Sequence, residues 1–214
     1  KLGFLVKQIL SRLPKLPRLR LSSIDSVEID EDLIEIITDE QRFMPHLHLS
    51  LQSGDNLILK RMKRRHSREQ AIDFCHRILL KRPEITFGAD LIVGFPTESE
   101  SMFQNSLDLI TECNLTWLHV FPFSARAGTP ASKMPQLNSA DIKKRVSLVK
   151  NIGQAKVTKY LDSVVGKNHS VLIEGNGKGR TEAYAEVILN ANYPTGTIKT
   201  LVADKHDGSR LICS

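Results

Sequence analysis

The alternation of apolar and polar positions changes abruptly within residues 46–68, which read HLHLSLQSGDNLILKRMKRRHSR. The first six residues alternate polar and apolar side chains, the period-2 pattern of a strand with one apolar face. Residues 52–55 interrupt that pattern, and residues 56–62 continue at helical spacing. Residues 88–96 repeat the arrangement, with an apolar strand, a glycine and a proline before a helix. Strands that end in polar clusters and lead into helices are how α/β folds form sites.

Predicted helices and strands alternate along the first half of the chain. The hydrophobic spacing predicts helices at 4–13, 30–37, 56–62, 67–80 and 97–110. It predicts strands at 18–24, 46–51, 85–93 and 115–121. Asp30 and Ser67 carry side chains that cap helices, and Thr97 is expected to begin the last of these helices. Such strict alternation predicts a parallel sheet, either open or part of a barrel.

The pattern changes after Pro135. Asn138 or Ser139 can cap a long basic helix at 140–161. Short strand-like segments then follow at 169–173, 184–189, 196–202 and 210–213, separated by glycines and prolines. They predict a small all-β barrel of about 50 residues. The predicted domain boundary lies near Val164, with domains at 1–164 and 165–214.

Composition adds modest constraints. The 214 residues carry a formal net charge of +6, which favours a polyanionic partner without identifying one. Apolar runs fall far short of the roughly 20 residues that a membrane span needs, and no signal-peptide pattern is present, so a cytoplasmic protein is expected. Cys75, Cys113 and Cys213 are too far apart for a cysteine-rich metal site and are expected to be buried thiols.

Four motifs resemble one protein family. In chain order they are HLSLQSGDNLILKRMKRRHS, GADLIVGFPTESE, LHVFPFSARAGTPASKM and GRTEAYAEV. They resemble the C-terminal part of the radical-SAM tRNA methylthiotransferases, and the third looks more like the MtaB branch than the MiaB branch. The resemblance implies the second half of a radical-SAM, partly TIM-like β/α barrel, followed by a TRAM domain, the family's RNA-binding β-barrel.

That resemblance also implies an activity. MtaB-type enzymes add a methylthio group to C2 of N6-threonylcarbamoyladenosine at position 37, in the anticodon loop of tRNA, by radical chemistry on S-adenosylmethionine. Their [4Fe–4S] clusters are held by an N-terminal cysteine set and a CxxxCxxC loop, neither of which occurs in this sequence. We therefore expect the chain to be part of a longer enzyme. A MiaB-like enzyme acting on isopentenyladenosine 37, a non-catalytic RNA-binding remnant and an S-adenosylmethionine-binding protein without radical chemistry remain alternatives.

The resemblance assigns a set of cofactor residues. Gln52 and Asp90 match polar contacts to S-adenosylmethionine, and Arg64 matches an arginine that holds its carboxylate. Other expected contributors to the same pocket are Ser22, Ser23, Gly94 and Pro96. Gln52 could instead cap the next helix, and Arg64 could belong to a solvated basic face. Asp90 lies in an apolar strand, where a carboxylate needs a partner.

RNA-binding residues are expected in two places. The resemblance matches Arg126 to a loop arginine that faces the cofactor or the substrate base. In the small barrel, the basic residues Lys178 and Arg180 are expected in a glycine-rich turn, with Tyr184 as a candidate for stacking on an unpaired base. His46 and His48 share a strand face at a spacing found in metal sites. No third ligand is evident, so no metal site is predicted.

Overall fold

The computed structural model describes all 214 residues. Six α-helices occupy α1 Leu2–Arg12, α2 Glu31–Asp39, α3 Asn56–Arg61, α4 Arg68–Lys81, α5 Glu100–Glu112 and α6 Ser139–Val164. Nine strands occupy β1 Ser23–Ile24, β2 His46–Gln52, β3 Thr86–Val93, β4 Leu115–Pro122, β5 Asn168–Gly175, β6 Lys178–Thr181, β7 Glu186–Leu189, β8 Ile198–His206 and β9 Leu211–Cys213. No helix combines the length and apolarity that crossing a bilayer would demand.

The first four strands form one parallel sheet in the order β1-β2-β3-β4, which confirms the predicted α/β architecture. Helical segments follow all four strands and cover the sheet. The first three sets form the crossover connections that parallel strands need, and α6 packs on β4. The main hydrophobic core includes side chains from the sheet and the helices, with Leu47, Leu49, Phe87 and Leu115 fully buried. The polar positions that alternate with these residues therefore face the opposite side of the sheet.

Helix starts follow the capping chemistry of the sequence. The carboxylate of Asp30 accepts from Leu33 N, and Ser67 forms a capping box with Gln70. The long helix α6 is capped by Asn138. The prediction that Thr97 begins α5 is wrong, because its backbone has a φ of 70°, which helices do not contain. The N-cap of α5 is Ser99.

The predicted first strand, residues 18–24, is much shorter in the structure. Only Ser23 and Ile24 pair with β2, and Leu19 makes an isolated bridge to Phe43. The intervening backbone leaves the sheet, and the side chains of Arg18 and Arg20 reach the small barrel instead. The RLRL alternation therefore reflects two arginines that bond to another part of the molecule.

The last five strands form a closed barrel in the order β5-β6-β7-β9-β8, as predicted for a small all-β unit. Its core is a second hydrophobic cluster that includes Leu161, at the C-terminal end of α6. Strand β6 was not predicted, because its glycines indicated a turn. Gly179 has a packing role there, since a Cβ at this position would collide with the side chain of Val171 on β5.

Polar contacts join the barrel to the sheet. Arg18 donates to Ser170 O and Oγ at 2.5 and 2.7 Å, and Arg20 donates to Glu182 O at 2.8 Å. The hydroxyl of Thr86, at the start of β3, donates to Ala183 O at 2.9 Å. These bonds hold strand β5 and the 181–185 turn of the barrel against the sheet domain.

Candidate functional site

A cavity of about 630 Å³ opens at the C-terminal ends of β2, β3 and β4, and we call it the strand-end cavity. Its lining residues include Gln52, Arg61, Lys63, Asp90, Phe95, Phe121, Phe123 and Arg126. Ligands of parallel α/β sheets bind at this end because strand termini and the following loops converge there. The position agrees with the one that the sequence predicted for a cofactor.

Gln52 reaches this cavity through an unusual backbone. Its φ is 67°, and the pairing of β2 with β3 shifts register between Leu49 and Gln52. A left-handed residue other than glycine is uncommon and marks positions held by the surrounding structure. The alternative that Gln52 caps the next helix is wrong, because the carboxylate of Asp55 accepts from Leu57 N and Ile58 N.

Asp90 has the partners that its position in an apolar strand requires. Its Oδ1 accepts from His48 Nε2 at 2.9 Å and from His119 Nδ1 at 3.2 Å. His119 lies on β4, directly opposite Asp90 in the β3–β4 register. Three adjacent strands thus contribute one cluster of two imidazoles and a carboxylate. Asp90 lines the strand-end cavity and also a second cavity on its other side.

The second cavity, of about 480 Å³, lies between the sheet and the small barrel, and we call it the histidine cavity. Its lining residues are Arg20, Leu21, Ser22, Ser23, His46, His48, Asp90, His119 and Tyr184. The structure therefore places the predicted residues Ser22 and Ser23 beside Asp90, whereas Gln52 lines only the strand-end cavity. The hydroxyls of Ser23 and Ser50 are hydrogen-bonded at 2.6 Å.

Tyr184 forms the wall of the histidine cavity on the barrel side. Its ring stacks on His46, with centroids 4.5 Å apart and planes 3° apart. The guanidinium groups of Arg20 and Arg180 lie 4.9 and 4.6 Å from the ring centroid. The expectation of a tyrosine free to stack on an RNA base is therefore corrected, because protein groups already cover its ring. Burial, followed by the charge of Arg20, lowers the pKa of His46 to about 3, so this imidazole is neutral.

Arg64 lies outside both cavities. Its guanidinium donates to Asp25 Oδ2 at 2.9 Å and to Ser50 O at 2.8 Å. In this arrangement it holds the segment after β1 against the end of β2. The sequence-based role in binding a cofactor carboxylate would require the Arg64–Asp25 ion pair to open.

The residues that follow β3 have structural partners. A Cβ on Gly94 would meet the side chain of Ile142 on α6 at 2.6 Å, so the close approach here is to a helix. Gly94 N donates to the buried carboxylate of Glu98, which also pairs with Arg145 at 2.7 Å. Pro96 is buried and does not line the strand-end cavity. The expected contribution of Gly94 and Pro96 to the cofactor pocket remains a prediction.

The candidate RNA residues differ in availability. Arg126 is exposed on the rim of the strand-end cavity. Lys178 is also exposed and lies 3.6 Å from Glu186. Arg180 is paired with Glu174 at 3.0 Å and donates to Tyr184 O. The prediction that Lys178 and Arg180 lie in a turn is corrected, because both belong to strand β6.

Sequence reasoning missed two residues of this region, His119 and Arg20. Arg20 lies in a run that alternates polar and apolar residues, so the side of the chain on which it lies was readable from period 2. His119 is a polar residue within the largely apolar run 115–121, the same kind of signal that marked Asp90. The partners were not readable, because they depend on strand register and on how the barrel docks. His48 and His119 are neighbours, with ring centroids 4.7 Å apart, although 71 positions separate them.

The cysteines do not form a cluster site. Cys75, Cys113 and Cys213 are all buried, the first two in the main core and the third in the barrel core. A hydrogen bond with Cys113, together with burial, raises the pKa of Cys75, which keeps this thiol protonated. An iron–sulfur cluster needs several thiolates around one point. These three residues do not fit such a group.

Comparison with known proteins identifies the family of this chain. Residues 2–110 match the Radical SAM superfamily. The chain is 45% identical, over 194 residues, to the threonylcarbamoyladenosine tRNA methylthiotransferase MtaB of Rickettsia prowazekii (strain Madrid E), covering 91% of this chain and 46% of that protein. It is 37% identical, over 163 residues, to the tRNA-2-methylthio-N(6)-dimethylallyladenosine synthase of Roseobacter denitrificans (strain ATCC 33942 / OCh 114), covering 76% of this chain and 37% of that protein.

Among solved structures, coproporphyrinogen III oxidase (HemN) of Escherichia coli, a radical SAM enzyme, superposes with a TM-score of 0.55 at 17% identity. The match covers 73% of this chain and 37% of that one, and shows a shared fold. The chain therefore belongs to the Radical SAM superfamily. It spans about half the length of the curated relatives that it matches.

Proposed function

We propose that this chain is the C-terminal part of a tRNA methylthiotransferase of the MtaB type, which acts on N6-threonylcarbamoyladenosine 37. The observation that carries the proposal is the 45% identity to one such enzyme along 91% of the chain. That match continues well beyond the superfamily segment, which ends at residue 110. Residues 1–164 would then be the second half of the radical-SAM barrel, and residues 165–214 the TRAM domain.

The strand-end cavity fits S-adenosylmethionine. This molecule presents a carboxylate, an ammonium, a ribose diol and a flat adenine, and the cavity offers matching groups. The guanidinium of Arg126 suits the carboxylate, the side chains of Gln52 and Asp90 suit the diol or the ammonium, and Phe95 and Phe123 offer aromatic surface. When bound and reduced, S-adenosylmethionine supplies the adenosyl radical. The iron–sulfur ligands would have to come from outside this chain, since its cysteines are scattered in the two cores.

The cationic side chains in the lining of the strand-end cavity favour the threonylcarbamoyl substrate over an isopentenyl one. The threonyl group ends in a carboxylate, whereas the isopentenyl group is an apolar hydrocarbon. With Arg126 matched to the cofactor carboxylate, the ammonium of Lys63 remains as a cationic group of the cavity lining. It suits the substrate carboxylate and would lose its water without compensation beside a hydrocarbon. A MiaB-like activity is therefore the less favoured alternative.

The small barrel and α6 are the proposed tRNA anchor. Helix α6 carries exposed lysines at Lys143, Lys144 and Lys150 and a half-buried one at Lys156, and the barrel adds Lys178, Lys199 and Lys205. Lysines on a solvent-facing surface suit phosphate contacts, which position a nucleic acid without reading its sequence. The one tyrosine of the barrel that faces the sheet, Tyr184, is occupied by His46.

The test is genetic complementation with nucleoside analysis. The complete reading frame that contains this chain is expressed in bacteria that lack their own methylthiotransferases, and tRNA nucleosides are separated by liquid chromatography and mass spectrometry. The methylthio derivative of threonylcarbamoyladenosine is expected. Detection of the methylthio derivative of isopentenyladenosine instead would establish the MiaB-like alternative. If both products are absent and the protein still binds tRNA, it is an RNA-binding remnant.

A further inference from the structure

We infer that His48, Asp90 and His119 form a binding site for one divalent transition-metal ion, of the zinc or ferrous type. The site lies on the face of the parallel sheet that lines the histidine cavity. The three potential ligand atoms all lie within 4.8 Å of one another. They come from the neighbouring strands β2, β3 and β4, so the backbone hydrogen bonds of the sheet fix their relative positions. This inference does not depend on the proposed function.

The spacing of the atoms suits a metal ion. Bonds of about 2.0–2.1 Å in a tetrahedral site place neighbouring ligand atoms roughly 3.3 Å apart. Asp90 Oδ1 lies 2.9 Å from His48 Nε2 and 3.2 Å from His119 Nδ1. These two distances are within a few tenths of an ångström of that value. The two imidazole nitrogens lie no more than 4.8 Å apart, so coordination would bring them closer by at most about 1.5 Å. Both imidazole nitrogens are atoms that commonly bind metals.

A glycine makes room for this arrangement. A Cβ on Gly88, which pairs with His48 across β2 and β3, would lie 2.7 Å from His48 Nδ1 and 3.2 Å from His46 Cε1. The absence of that Cβ lets the His48 imidazole extend over the strand towards Asp90. The same ring contacts could not form with any other residue at position 88.

The cluster also has open space for a metal's remaining ligands. The exposed fraction of the side chain rises from 13% at His48 and 24% at Asp90 to 55% at His119. The three groups line the histidine cavity together with the hydroxyls of Ser22 and Ser23. Three protein ligands with open positions are typical of catalytic zinc sites and of ferrous sites with two histidines and one carboxylate. The further ligands would be water or an oxygen group of a bound molecule.

Other histidine–carboxylate pairs in the chain lack this third ligand. His206 lies 2.8 Å from Asp162, and His169 lies 3.3 Å from Glu182. Neither pair belongs to a group of three potential ligands. The His206 side chain is 17% exposed, close to the 13% of His48, and its distance to the carboxylate is comparable, so it provides a matched control for the effect of removing an imidazole.

The experiment is a metal titration of the 214-residue chain, purified with a chelator and then freed of it. Zn²⁺ is titrated in competition with a chromophoric chelator, Fe²⁺ is titrated without oxygen, and Mg²⁺ serves as the oxygen-preferring comparison. One Zn²⁺ or Fe²⁺ per chain is expected, with no Mg²⁺. His119→Ala and Asp90→Asn should each weaken binding by about 100-fold or more, since even indirect partners of metal ligands cost about 10–100-fold. His206→Ala should bind like the original chain.

A Co²⁺ titration gives an independent readout, because coordination by this donor set produces visible absorption that His119→Ala should abolish. The His119 side chain is more than half exposed, so its loss leaves the core intact, and circular dichroism checks the fold. Binding that is unchanged in both ligand variants would overturn the inference. The absence of any one-to-one complex at micromolar Zn²⁺ and Fe²⁺ would also overturn it, and would leave Asp90 as a carboxylate that accepts two imidazole hydrogen bonds.

Discussion

The strand-end cavity and the histidine cavity share the carboxylate of Asp90 but satisfy their polar groups in different ways. In the histidine cavity the imidazoles, Arg20 and Ser23 bond to other parts of the chain. In the strand-end cavity, Gln52 and Arg126 make no side-chain hydrogen bond within the protein. Polar groups that are already paired rigidify a structure, whereas unpaired groups at a cavity surface are available to a ligand. The comparison assigns the organic ligand to the strand-end side of Asp90. The paired imidazoles on the other side are held in place by the chain, which suits the metal ion inferred above.

The largest expected effect concerns the protonation of His46 in the wall of the histidine cavity. Its pKa is about 3 in the folded chain, chiefly because it is buried, against about 6.5 when unfolded. A lowered pKa means that the unfolded state binds the proton first. The stability contributed by neutral His46 is therefore present above pH 6.5 and is lost as the pH falls towards 3, by about 1.4 kcal/mol per pH unit.

Chemical unfolding at pH 7, 6, 5 and 4 measures this loss. His46→Phe is the matched variant, because it keeps an aromatic ring on Tyr184 and removes the titrating group. Between pH 6 and 4 the original chain should lose about 2.5 kcal/mol more unfolding free energy than the variant. Parallel pH profiles for the two proteins would show that His46 is accessible to protons in the folded state.

Helices, strands and caps that depend on local sequence patterns were predicted, whereas contacts between distant elements were not. Strands β2 and β3 were predicted to within a residue or two, because their alternating and continuous apolar patterns are local signals. Caps at Asp30, Ser67 and Asn138 were likewise local. The cluster around Asp90 was not predictable, since its members meet only through the β2–β3–β4 register. The Tyr184–His46 stack depends on docking of the barrel, which no local pattern encodes.

The second prediction concerns Gly88, where an added Cβ should disturb the histidine cavity. Gly88→Ala introduces a Cβ that would lie 2.7 Å from His48 Nδ1 and 3.2 Å from Trp117 O. The His48 ring must move, and overpacking of this kind costs about 1–3 kcal/mol of unfolding free energy. Urea unfolding measures the loss. Gly153→Ala is the control, because its Cβ would meet only the Leu118 side chain at 3.2 Å and alanine favours the helix. Equal effects of the two substitutions would contradict the proposed constraint on His48.

The third prediction tests whether the strand-end cavity binds S-adenosylmethionine. Arg126→Ala should weaken S-adenosylmethionine binding by the complete enzyme by about 1.5 kcal/mol, roughly tenfold, the low end for a hydrogen bond to a charged group. Its unfolding free energy should stay within about 0.5 kcal/mol, as is usual for exposed residues. Calorimetry and urea unfolding give the two values. Arg64→Ala is the comparison: with the guanidinium bound to Asp25, it should mainly lower stability. A larger affinity loss for Arg64→Ala would show that the ion pair opens for the cofactor.

The smallest effect on stability is expected at the far surface of the barrel, where no cavity is involved. Lys178 is 54% exposed and lies 3.6 Å from Glu186, so Lys178→Ala should change the unfolding free energy by less than about 1 kcal/mol. Its effect on RNA should be separate from stability. If the barrel holds tRNA by phosphates, this variant should reduce the slope of log affinity against log salt by about one phosphate, for cognate and non-cognate tRNA alike.

Arg180→Ala separates this surface from the wall of the histidine cavity. Arg180 is bound to Glu174 and lies over Tyr184, so its loss should lower stability more than the loss of Lys178 does. Its effect on the salt slope should be smaller, because a paired guanidinium must break its own contacts before it binds a phosphate. Filter binding across a salt series, with both variants in the complete enzyme, measures the slopes. If neither variant changes the slope, the phosphate contacts lie elsewhere, and the exposed lysines of α6 become the region to test.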